Sequence, residues 1–526
     1  MHEVIIVGAG AAATAAALAL ADRGIRPLVL DVGHTNQAGV PRVEDNLYNF
    51  RKRQDSFDLL IGQDLIGLAS VLADEERVAK LNAPNMAFIT QDSDTLGPLE
   101  QAGFHAVQSF ALGGLGNGWG AGLYRFVEGD LSGFPYPVAE LDPYFDRLTR
   151  EIGICGADDD LTQFFGAPND LLPPLKPSFN ADGIYRRYQS KRARLNSRKL
   201  RIGHPRAGVL SVPQDGRLAC DYSNLEFWQE QPYFYTPAIT LRKLIDARRI
   251  EYRPGVLIAS WAETADGVIV TGTDLASGQT ISFAGKTLLL AAGAINTAKI
   301  VLKSRSDHAT RLPLLENPVL QAPFILPASI GRRLDTHCFG LVQLNLVWES
   351  PAFNRYLQGS FIELTAPMRA EFFGRFPLSA RANLALMRTM LPAMILLQLY
   401  FPAEAQAPSH LQLKEDGRLR IEGQPHHIDL SSLRDLLAML RSLGLWTHPM
   451  LIQQPVTGHA IHYAGTLPMN DTPGPYQCDS TGRLTGTRRV FIADSSSFAS
   501  LTAKNMSLGM MAHAMRVAAC ALGSRS

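Results

Sequence analysis

The chain has 526 residues, which exceeds the roughly 150 residues of a typical domain and predicts two or three domains. Its formal net charge of +1 argues against a nucleic-acid partner, because phosphate binding needs a clustered excess of Lys and Arg. The 5 cysteines are odd in number and form no CxxC pair, so neither a disulfide framework nor a metal site is expected. Reduced thiols, and a first strand that starts almost at Met1 with no room for a secretory signal, favour a cytoplasmic protein.

An apolar strand, a glycine turn and a helix open the chain. The strand covers residues 4–7 and the helix is expected over residues 11–23. Gly8 permits a tight turn, Gly10 lets the backbone approach a pyrophosphate, and Ala13 replaces a third glycine where helix and strand pack closely. This order of elements predicts a binding site for a dinucleotide.

A second buried strand, over residues 26–30, ends at Asp31. An acidic residue about twenty positions after such glycines is placed to bind a ribose 2′-hydroxyl. Asp31 and the glycine turn therefore provide partners for both ends of an adenosine diphosphate moiety. Since an alanine-rich helix after a strand is also common in ordinary cores, the prediction depends on the complete order of these elements.

Six glycines crowd into residues 113–122. So much glycine is costly in conformational entropy, so the segment is either a flexible loop or a place where bare backbone approaches a flat ligand. The neighbouring aromatic residues Phe110 and Trp119 favour the ligand. The candidate ligand contacts are Gly113, Gly114, Asn117 and Trp119.

The middle of the chain is predicted to alternate between connections and ordered elements. Helices are expected over residues 61–72, 141–153 and 236–247. Residues 156–205 are rich in turn formers and charges, which predicts a long surface connection. We interpret the basic stretch over residues 186–201 as a solvated loop or helix face.

Residues 250–283 alternate between polar and apolar side chains around two turn signals, which predicts an antiparallel meander. A strand over residues 286–293 and a helix over residues 297–303 follow. The strand ends in the small residues Ala292 and Gly293, as the first strand ends in its glycine turn. We therefore expect this strand to join the nucleotide-binding sheet.

Residues 311–454 are predicted to form a second unit. Strands are expected over residues 341–348 and 395–401, a hairpin over residues 411–421 and a helix over residues 433–443. Such a mixture of strands and helices is typical of a sheet-based cover over a cofactor domain.

The most apolar run covers residues 389–401 and is too short to cross a bilayer, where about twenty residues are needed. A buried strand or core helix is expected. Together with Phe372, Phe373 and residues 384–394, the run could instead form an apolar face near a membrane or a channel for a hydrophobic substrate.

The C-terminal part carries the most specific pattern. His462 stands in a block with a following glycine and threonine, a strand over residues 486–493 ends before Asp494, and Asn505 precedes a helix over residues 510–521. With these residues in place, nearly the whole chain resembles the glucose-methanol-choline (GMC) family of FAD-dependent oxidoreductases. The other segments that carry the resemblance are residues 8–10, 113–121, 141–144 and 288–297.

The resemblance implies roles for the residues of the C-terminal part. Family members place a catalytic histidine first in an H-x-x-G-T block, which His462, Gly465 and Thr466 match. An aspartate after the next strand meets the ribityl or pyrophosphate region of the flavin, and Asp494 matches it. An Asn or second His heads the final helix, and Asn505 matches it.

The resemblance also implies FAD as the cofactor, bound non-covalently. Members with flavin attached through histidine carry that histidine where this chain has Gly118. The chain departs from the family at Met506, where proline is usual, and in residues 467–469, which lack a common arginine. The expected cofactor contacts are Gly8, Gly10, Ala13, Asp31, Gly113, Gly114, Asn117, Trp119, Ala292, Gly293, Asp494 and Ser495.

The implied reaction is oxidation of a primary or secondary alcohol to a carbonyl, with hydride passing to flavin N5 and a later acceptor, dioxygen, quinone or another, taking the electrons. A neutral imidazole such as His462 is well matched to accept the hydroxyl proton near pH 7. Asn505 can hold the same hydroxyl, and the N–H groups of the following helix can stabilise negative charge on the reduced flavin. His459 lacks this context and is interpreted as structural.

The predicted fold is α/β, with a Rossmann-type FAD-binding domain and a sheet-based α+β substrate domain. The first is expected from residues 1–150, 225–310 and 455–526, and the second from residues 311–454, with residues 151–224 as a connection or cover. A redox-silent flavin lyase of the same fold and a nicotinamide-dependent flavoprotein reductase remain alternatives. No second glycine motif supports the reductase. The sequence does not distinguish sugars from apolar alcohols as substrates. Peripheral contact with a membrane also stays open, although no pattern specifically indicates it.

Overall fold

The computed structural model describes residues 1–36, 81, 84–167, 169–222, 233–333, 335, 338–353, 355–364, 377–405, 409–424 and 427–523. The helix expected over residues 61–72 and the pair Phe372 and Phe373 lie outside these ranges. The described α-helices are α1 (Ala11–Ala21), α2 (Ser93–Leu96), α3 (Asp142–Ile152), α4 (Thr162–Phe165), α5 (Phe179–Ser197), α6 (Pro237–Asp246), α7 (Ala294–Ser304), α8 (Ala380–Met390), α9 (Arg434–Ser442) and α10 (Ser507–Gly523).

The strands of the described ranges form three sheets. The described strands are β1 (His2–Val7), β2 (Leu28–Leu30), β3 (Leu99–Ala102), β4 (Leu200–Gly203), β5 (Glu251–Arg253), β6 (Val256–Glu263), β7 (Val268–Asp274), β8 (Thr280–Leu290), β9 (Leu312–Leu314), β10 (Val319–Ile325), β11 (Val342–Trp348), β12 (Leu357–Glu363), β13 (Met394–Tyr400), β14 (Ser409–Leu413), β15 (Leu419–Glu422) and β16 (Val490–Ile492).

The first sheet has the order β5-β2-β1-β8-β7-β6, with β16 also paired to β8. Strands β5, β2, β1, β8 and β16 run parallel, and β6, β7 and the first half of β8 form the expected antiparallel meander. Residues 280–285 of β8 pair with β7, and residues 285–290 pair with β1. The meander and the strand predicted after it are therefore one continuous element.

Helix α1 is buried along its whole length and packs against α10. Eight of its 11 residues are alanine, and these small side chains let helix, sheet and neighbouring helix approach closely. The predicted order of strand, turn, helix and strand at the N-terminus is confirmed, although α1 ends at Ala21 rather than at residue 23. The predicted α/β fold is also confirmed.

The second sheet is antiparallel, with the order β10-β13-β12-β11-β4. One of its faces packs in an apolar core with α5 and α9, through side chains such as Ile184, Leu397 and Leu440. The other face is turned toward the cavity described below. The strands predicted over residues 341–348 and 395–401 are confirmed as β11 and β13.

The hairpin predicted over residues 411–421 is confirmed, with Leu411 opposite Ile421 and Leu413 opposite Leu419. It does not join the second sheet. Together with β3 and β9 it forms a third sheet with the order β3-β15-β14-β9. The unit predicted over residues 311–454 therefore contributes to two separate sheets.

The interpretation of residues 156–205 as a surface connection is wrong for most of its second half. Helix α5 begins after Ser178, whose Oγ accepts a hydrogen bond from the backbone N–H of Ala181 at 3.1 Å. Strand β4 then pairs with β11 at the edge of the second sheet. The helix buries only a narrow stripe of residues, so its many charges hid the apolar pattern.

The apolar run over residues 389–401 ends as β13, the buried strand that was expected. Leu384 precedes it in α8 and is 52% exposed. Within the described ranges, no helix is long and apolar enough to cross a membrane.

The C-terminal part is anchored by a buried ion pair. The Nζ of Lys504 lies 2.5 Å from Oδ2 of Asp130, and neither side chain is exposed. Lys504 also donates to the backbone oxygens of Arg125, at 2.7 Å, and Phe164. Asp130 accepts a further hydrogen bond from the Tyr356 hydroxyl at 2.5 Å. Because each charge has its partners, the pair holds the segment just before α10 in one position.

We predict that Lys504→Met destabilises the protein by about 3–5 kcal/mol, because the Asp130 carboxylate would stay buried without its counterion. Denaturant unfolding of the purified protein measures the change. Arg186→Met is the matched control, since it breaks a surface ion pair with Asp182 in which Arg186 is 78% exposed, and it should change stability little. Equal losses in the two variants would contradict this role for Lys504.

Candidate active site

A cavity of about 830 Å³ runs from the carboxyl edge of the first sheet to one face of the second. The turn after β1, the end of β8, the glycine-rich loop and the C-terminal part all contribute to its lining. Ligands of open α/β sheets bind at this carboxyl edge, where backbone groups are free of the sheet. The cavity is therefore the candidate site for both cofactor and substrate.

The turn after β1 needs its glycines for two different reasons. Gly8 has φ of +106°, and a Cβ there would lie 2.5 Å from the carbonyl oxygen of Ala291. A Cβ on Gly10 would meet nothing within 4 Å, because Gly10 faces the cavity. Helix α1 starts at the next residue, so its free N–H groups can bind an anion. Ala13 is fully buried in α1 and does not reach the cavity.

Asp31 lines the same part of the cavity. Its Oδ2 accepts a hydrogen bond from the Tyr252 hydroxyl at 3.3 Å. Burial raises the pKa of Asp31 to about 8, against the hydrogen bonds that lower it. Lys299 and Lys303 of α7 also line the cavity, and burial together with Lys303 lowers the pKa of Lys299 to about 8. This half of the cavity thus combines polar groups and positive charge.

The glycine-rich loop is shaped from behind by Asn117. The Nδ2 of this buried side chain donates to the backbone oxygens of Leu112, at 2.9 Å, and Gly114, at 3.0 Å. Gly113 has φ of +95°, and a Cβ there would lie 2.8 Å from Oδ1 of Asn117. Gly114 lines the cavity, whereas Gly113 and Asn117 do not. Gly113 and Asn117, which were predicted as ligand contacts, therefore hold the shape of the loop.

Trp119 lines the cavity, and its Nε1 donates to the backbone oxygen of Tyr235 at 3.0 Å. This bond sets the position of the indole beside the cavity. A Cβ on the neighbouring Gly118 would lie 2.7 Å from Cδ2 of Leu81. A side chain at Gly118 would therefore require the side chain of Leu81 to move.

Asp494 fastens the end of β16 to the start of α7. Its Oδ2 accepts hydrogen bonds from the Gly293 N–H at 2.8 Å and the Thr297 hydroxyl at 2.6 Å, and its Oδ1 accepts one from the Ser496 N–H at 2.9 Å. Burial raises the pKa of Asp494, while these hydrogen bonds lower it. The carboxyl lines the cavity, but three protein groups already bind it.

Ser495 and Ala292 line the cavity next to the hydrogen bonds of Asp494. The Ser495 hydroxyl donates to the backbone oxygen of Tyr463 at 2.7 Å, and its carbonyl accepts from the Gly465 N–H at 2.9 Å. These bonds tie the block that contains His462 to the end of β16.

His462 is held by one hydrogen bond that sets its tautomer. Its Nδ1 lies 3.0 Å from Oδ1 of Asn317. The amide nitrogen of Asn317 donates to the backbone oxygens of Phe401 and Thr502, both at 2.8 Å, so the amide oxygen must face the imidazole. An amide oxygen can only accept, so Nδ1 of His462 carries the proton and Nε2 is the acceptor.

The His462 ring lines the cavity and stacks on the Tyr400 ring, with centroids 5.3 Å apart. Burial lowers the pKa of His462 to about 4, so the imidazole is neutral at pH 7. Burial also raises the pKa of Tyr400 to about 12, so its hydroxyl stays protonated. The site therefore offers a neutral base with a fixed orientation.

Asn505 lines the same cavity as His462. Its Oδ1 is buried and has no hydrogen-bond partner in the described part of the chain. A Cβ on Gly122 would lie 2.8 Å from its Nδ2, so the glycine makes room for the amide. Helix α10 begins two residues later, at Ser507. A buried polar atom without a partner is costly in free energy, which indicates that a ligand satisfies it.

These residues fit an FAD cofactor. The turn after β1 would bind the pyrophosphate, Asp31 the ribose, and the backbone of the glycine-rich loop the flat ring. The unpartnered oxygen of Asn505 and the acceptor Nε2 of His462 share the cavity with these groups. Neither Asn317 nor Tyr400 was identified from the sequence, because no motif marks them. His459, interpreted as structural, also lines the cavity.

Comparison with known proteins agrees with this geometry. Residues 446–514 match the family model of the GMC oxidoreductases. No curated protein sequence is significantly similar to this chain. Pyridoxine 4-oxidase from Mesorbium loti is similar in structure, with a TM-score of 0.60 and 16% identity over 99% of both chains.

A second similar structure is a variant of formate oxidase from Aspergillus oryzae RIB40, which was solved for its effect on FAD modification. Its TM-score is 0.63 and its identity 12%, over 100% of this chain and 98% of that one. Over nearly its whole length the chain thus shares the fold of these two oxidases, and its C-terminal part matches the family model of the GMC oxidoreductases.

Proposed function

We propose that the protein oxidises a primary or secondary alcohol to a carbonyl compound, with His462 as the general base. The observation that carries this proposal is the fixed, neutral imidazole, whose Nε2 is an acceptor in the same cavity as the Asn505 amide. A base that is neutral at the working pH suits removal of a hydroxyl proton.

In this proposal, each side chain acts on the substrate hydroxyl. Nε2 of His462 accepts its proton, and the Nδ1 hydrogen bond to Asn317 stabilises the imidazolium that results. Asn505 binds the same oxygen through its amide and so orients the carbinol hydrogen toward the cofactor. FAD, when bound, supplies the acceptor for the hydride. The N–H groups at the start of α10 lie beside this region and favour negative charge.

We assign the cofactor domain to residues 1–150, 225–310 and 455–526, because the first sheet and the turn after β1 draw on these ranges. Residues 311–454 form most of the substrate domain, and β4 adds an edge strand from residues 151–224. Both similar structures are named oxidases, so dioxygen is the electron acceptor to test first.

We predict that His462→Ala slows anaerobic reduction of the flavin by an alcohol roughly 10²-fold or more, because the variant lacks the proposed acceptor of the hydroxyl proton. The variant should keep its FAD, which absorbance of the released cofactor measures. His427→Ala, at an exposed position, is the control and should react normally. Full activity of His462→Ala would end the assignment.

Two outcomes with the unaltered protein would favour the alternative functions. A substrate that is converted while the flavin stays oxidised would indicate a lyase. Bleaching of the flavin by NADH or NADPH would indicate a reductase.

The pH dependence of the reaction follows from the lowered pKa of His462. The base form exists above a pKa of about 4, so kcat/KM should be flat between about pH 6 and about pH 8. It should fall about tenfold per pH unit below pH 4, where the imidazole is protonated. Protein fluorescence must show that the chain stays folded over this range. A decline centred near 6.5, the ordinary pKa of histidine, would contradict the burial of His462.

We predict that Asn317→Ala lowers the rate of flavin reduction about tenfold or more, because the imidazole loses the acceptor that sets its tautomer. Asn180→Ala removes a buried amide that donates to the backbone oxygen of Pro392, away from the cavity. This control should lose stability without a comparable loss of rate. Equal reduction rates in the two variants, measured by stopped flow, would show that Asn317 has only a structural role.

A further inference from the structure

One face of the second sheet forms a wall of the cavity, and its strand register arranges the wall in rows. Directly opposite residues of antiparallel strands present their side chains to the same face. Gln321 of β10 is opposite Gln398 of β13, which is opposite Ser360 of β12. All three line the cavity. They form a polar row across three strands.

The next row on the same face is apolar. Pro323 is opposite Leu396, Leu396 is opposite Ile362, and Ile362 is opposite Val342. These four side chains line the cavity as well. The polar row therefore lies between the apolar row and Tyr400, the next residue of β13 that faces the cavity.

Within the polar row, Gln398 keeps hydrogen-bonding capacity for a ligand. Gln398 accepts from the Tyr400 hydroxyl at 3.2 Å through Oε1, and its Nε2 has no partner in the ranges described. The Ser360 Oγ accepts from Asn345, at 2.9 Å, and Gln358, at 3.1 Å, and its hydroxyl also hydrogen-bonds with the buried Tyr124. The row can therefore donate to a ligand through the amide nitrogen of Gln398.

The wall is neutral over its described residues. Among the described residues of the second sheet that line the cavity there is no Lys, Arg, Asp or Glu. The Asp and Lys residues among the described lining are Asp31, Lys299, Lys303 and Asp494, which belong to the dinucleotide half. An ionised ligand group on this wall would lose its hydration without gaining a counterion, which disfavours its binding.

The spacing of the rows sets distances within the ligand. Alternate residues of a strand lie about 7 Å apart. Tyr400 stacks on the ring of His462, so its row marks the reacting carbinol. The polar row is then about 7 Å from the carbinol, and the apolar row about 14 Å from it.

We propose that this wall selects an uncharged alcohol with a neutral polar group about 7 Å from its carbinol and an apolar end beyond that group. The inference rests on the proposed alcohol oxidation and adds the class of substrate. Gln398 is its specificity-determining residue, because the free amide nitrogen donates to the polar group of the substrate.

Three straight-chain primary alcohols of equal length test this class. They carry a secondary amide, two methylene groups or a secondary ammonium about five bonds from the carbinol, followed by the same alkyl end. We expect kcat/KM for the amide to exceed that for the hydrocarbon about tenfold or more, and the ammonium to be the poorest by about a further tenfold.

Two variants at one position sharpen the test. Gln398→Leu should abolish the preference for the amide by raising KM for that compound, with kcat nearly unchanged. The lost hydrogen bond contributes equally to binding of the substrate and of the transition state. Gln398→Glu should make the ammonium compound the best of the three, because it adds the missing counterion. Gln412→Leu, in the third sheet, is the matched control and should keep the order of the unaltered protein.

Binding to FAD-loaded His462→Ala, measured by calorimetry, separates failure of this inference from failure of the proposed reaction. If binding follows the expected order but no alcohol bleaches the flavin of the unaltered protein, the reaction is wrong and the wall assignment stands. If the alcohols bleach the flavin without discrimination, or the ammonium compound is best in the unaltered protein, the wall assignment is wrong. Failure of all three to bind would also overturn it.

Discussion

The hydrogen bonds of a single buried amide hold the candidate site together. Asn317 accepts from His462 and donates to the backbone oxygens of Phe401 and Thr502, so it joins four segments that are distant in sequence. Its side chain is fully buried, and water cannot replace a lost partner without cost. The orientation of the imidazole therefore depends on the relative position of the second sheet and the C-terminal part.

Charge is distributed unequally between the two halves of the cavity. Asp31 and Lys299 line the half suited to an anionic cofactor, whereas neutral groups line the wall near His462. The buried charge closest in sequence to Asn505 belongs to Lys504, and Asp130 pairs with it away from the cavity lining. This separation keeps the reacting region free of fixed charge, so burial alone governs the pKa of His462.

Backbone geometry positions the cofactor half. The main chain approaches the cavity closely because Gly10 and Gly114 carry no side chain, and Gly8 can adopt its positive φ. Asp494 adds rigidity by holding the N-terminus of α7 through backbone and hydroxyl groups. Of the predicted contacts in this region, Gly113 and Asn117 support the loop from behind and do not reach the cavity.

The sequence alone determined the local elements around the cofactor, from the turn after β1 to the block of His462, because glycine spacing and apolar periodicity act over short distances. It missed α5 and β4, whose narrow buried stripe is hidden among charges. Only the tertiary structure decided that Asn317 faces His462 and that Gln321, Gln398 and Ser360 share a row. These contacts join residues far apart in the chain, and strand pairing, which no local pattern encodes, brings them together.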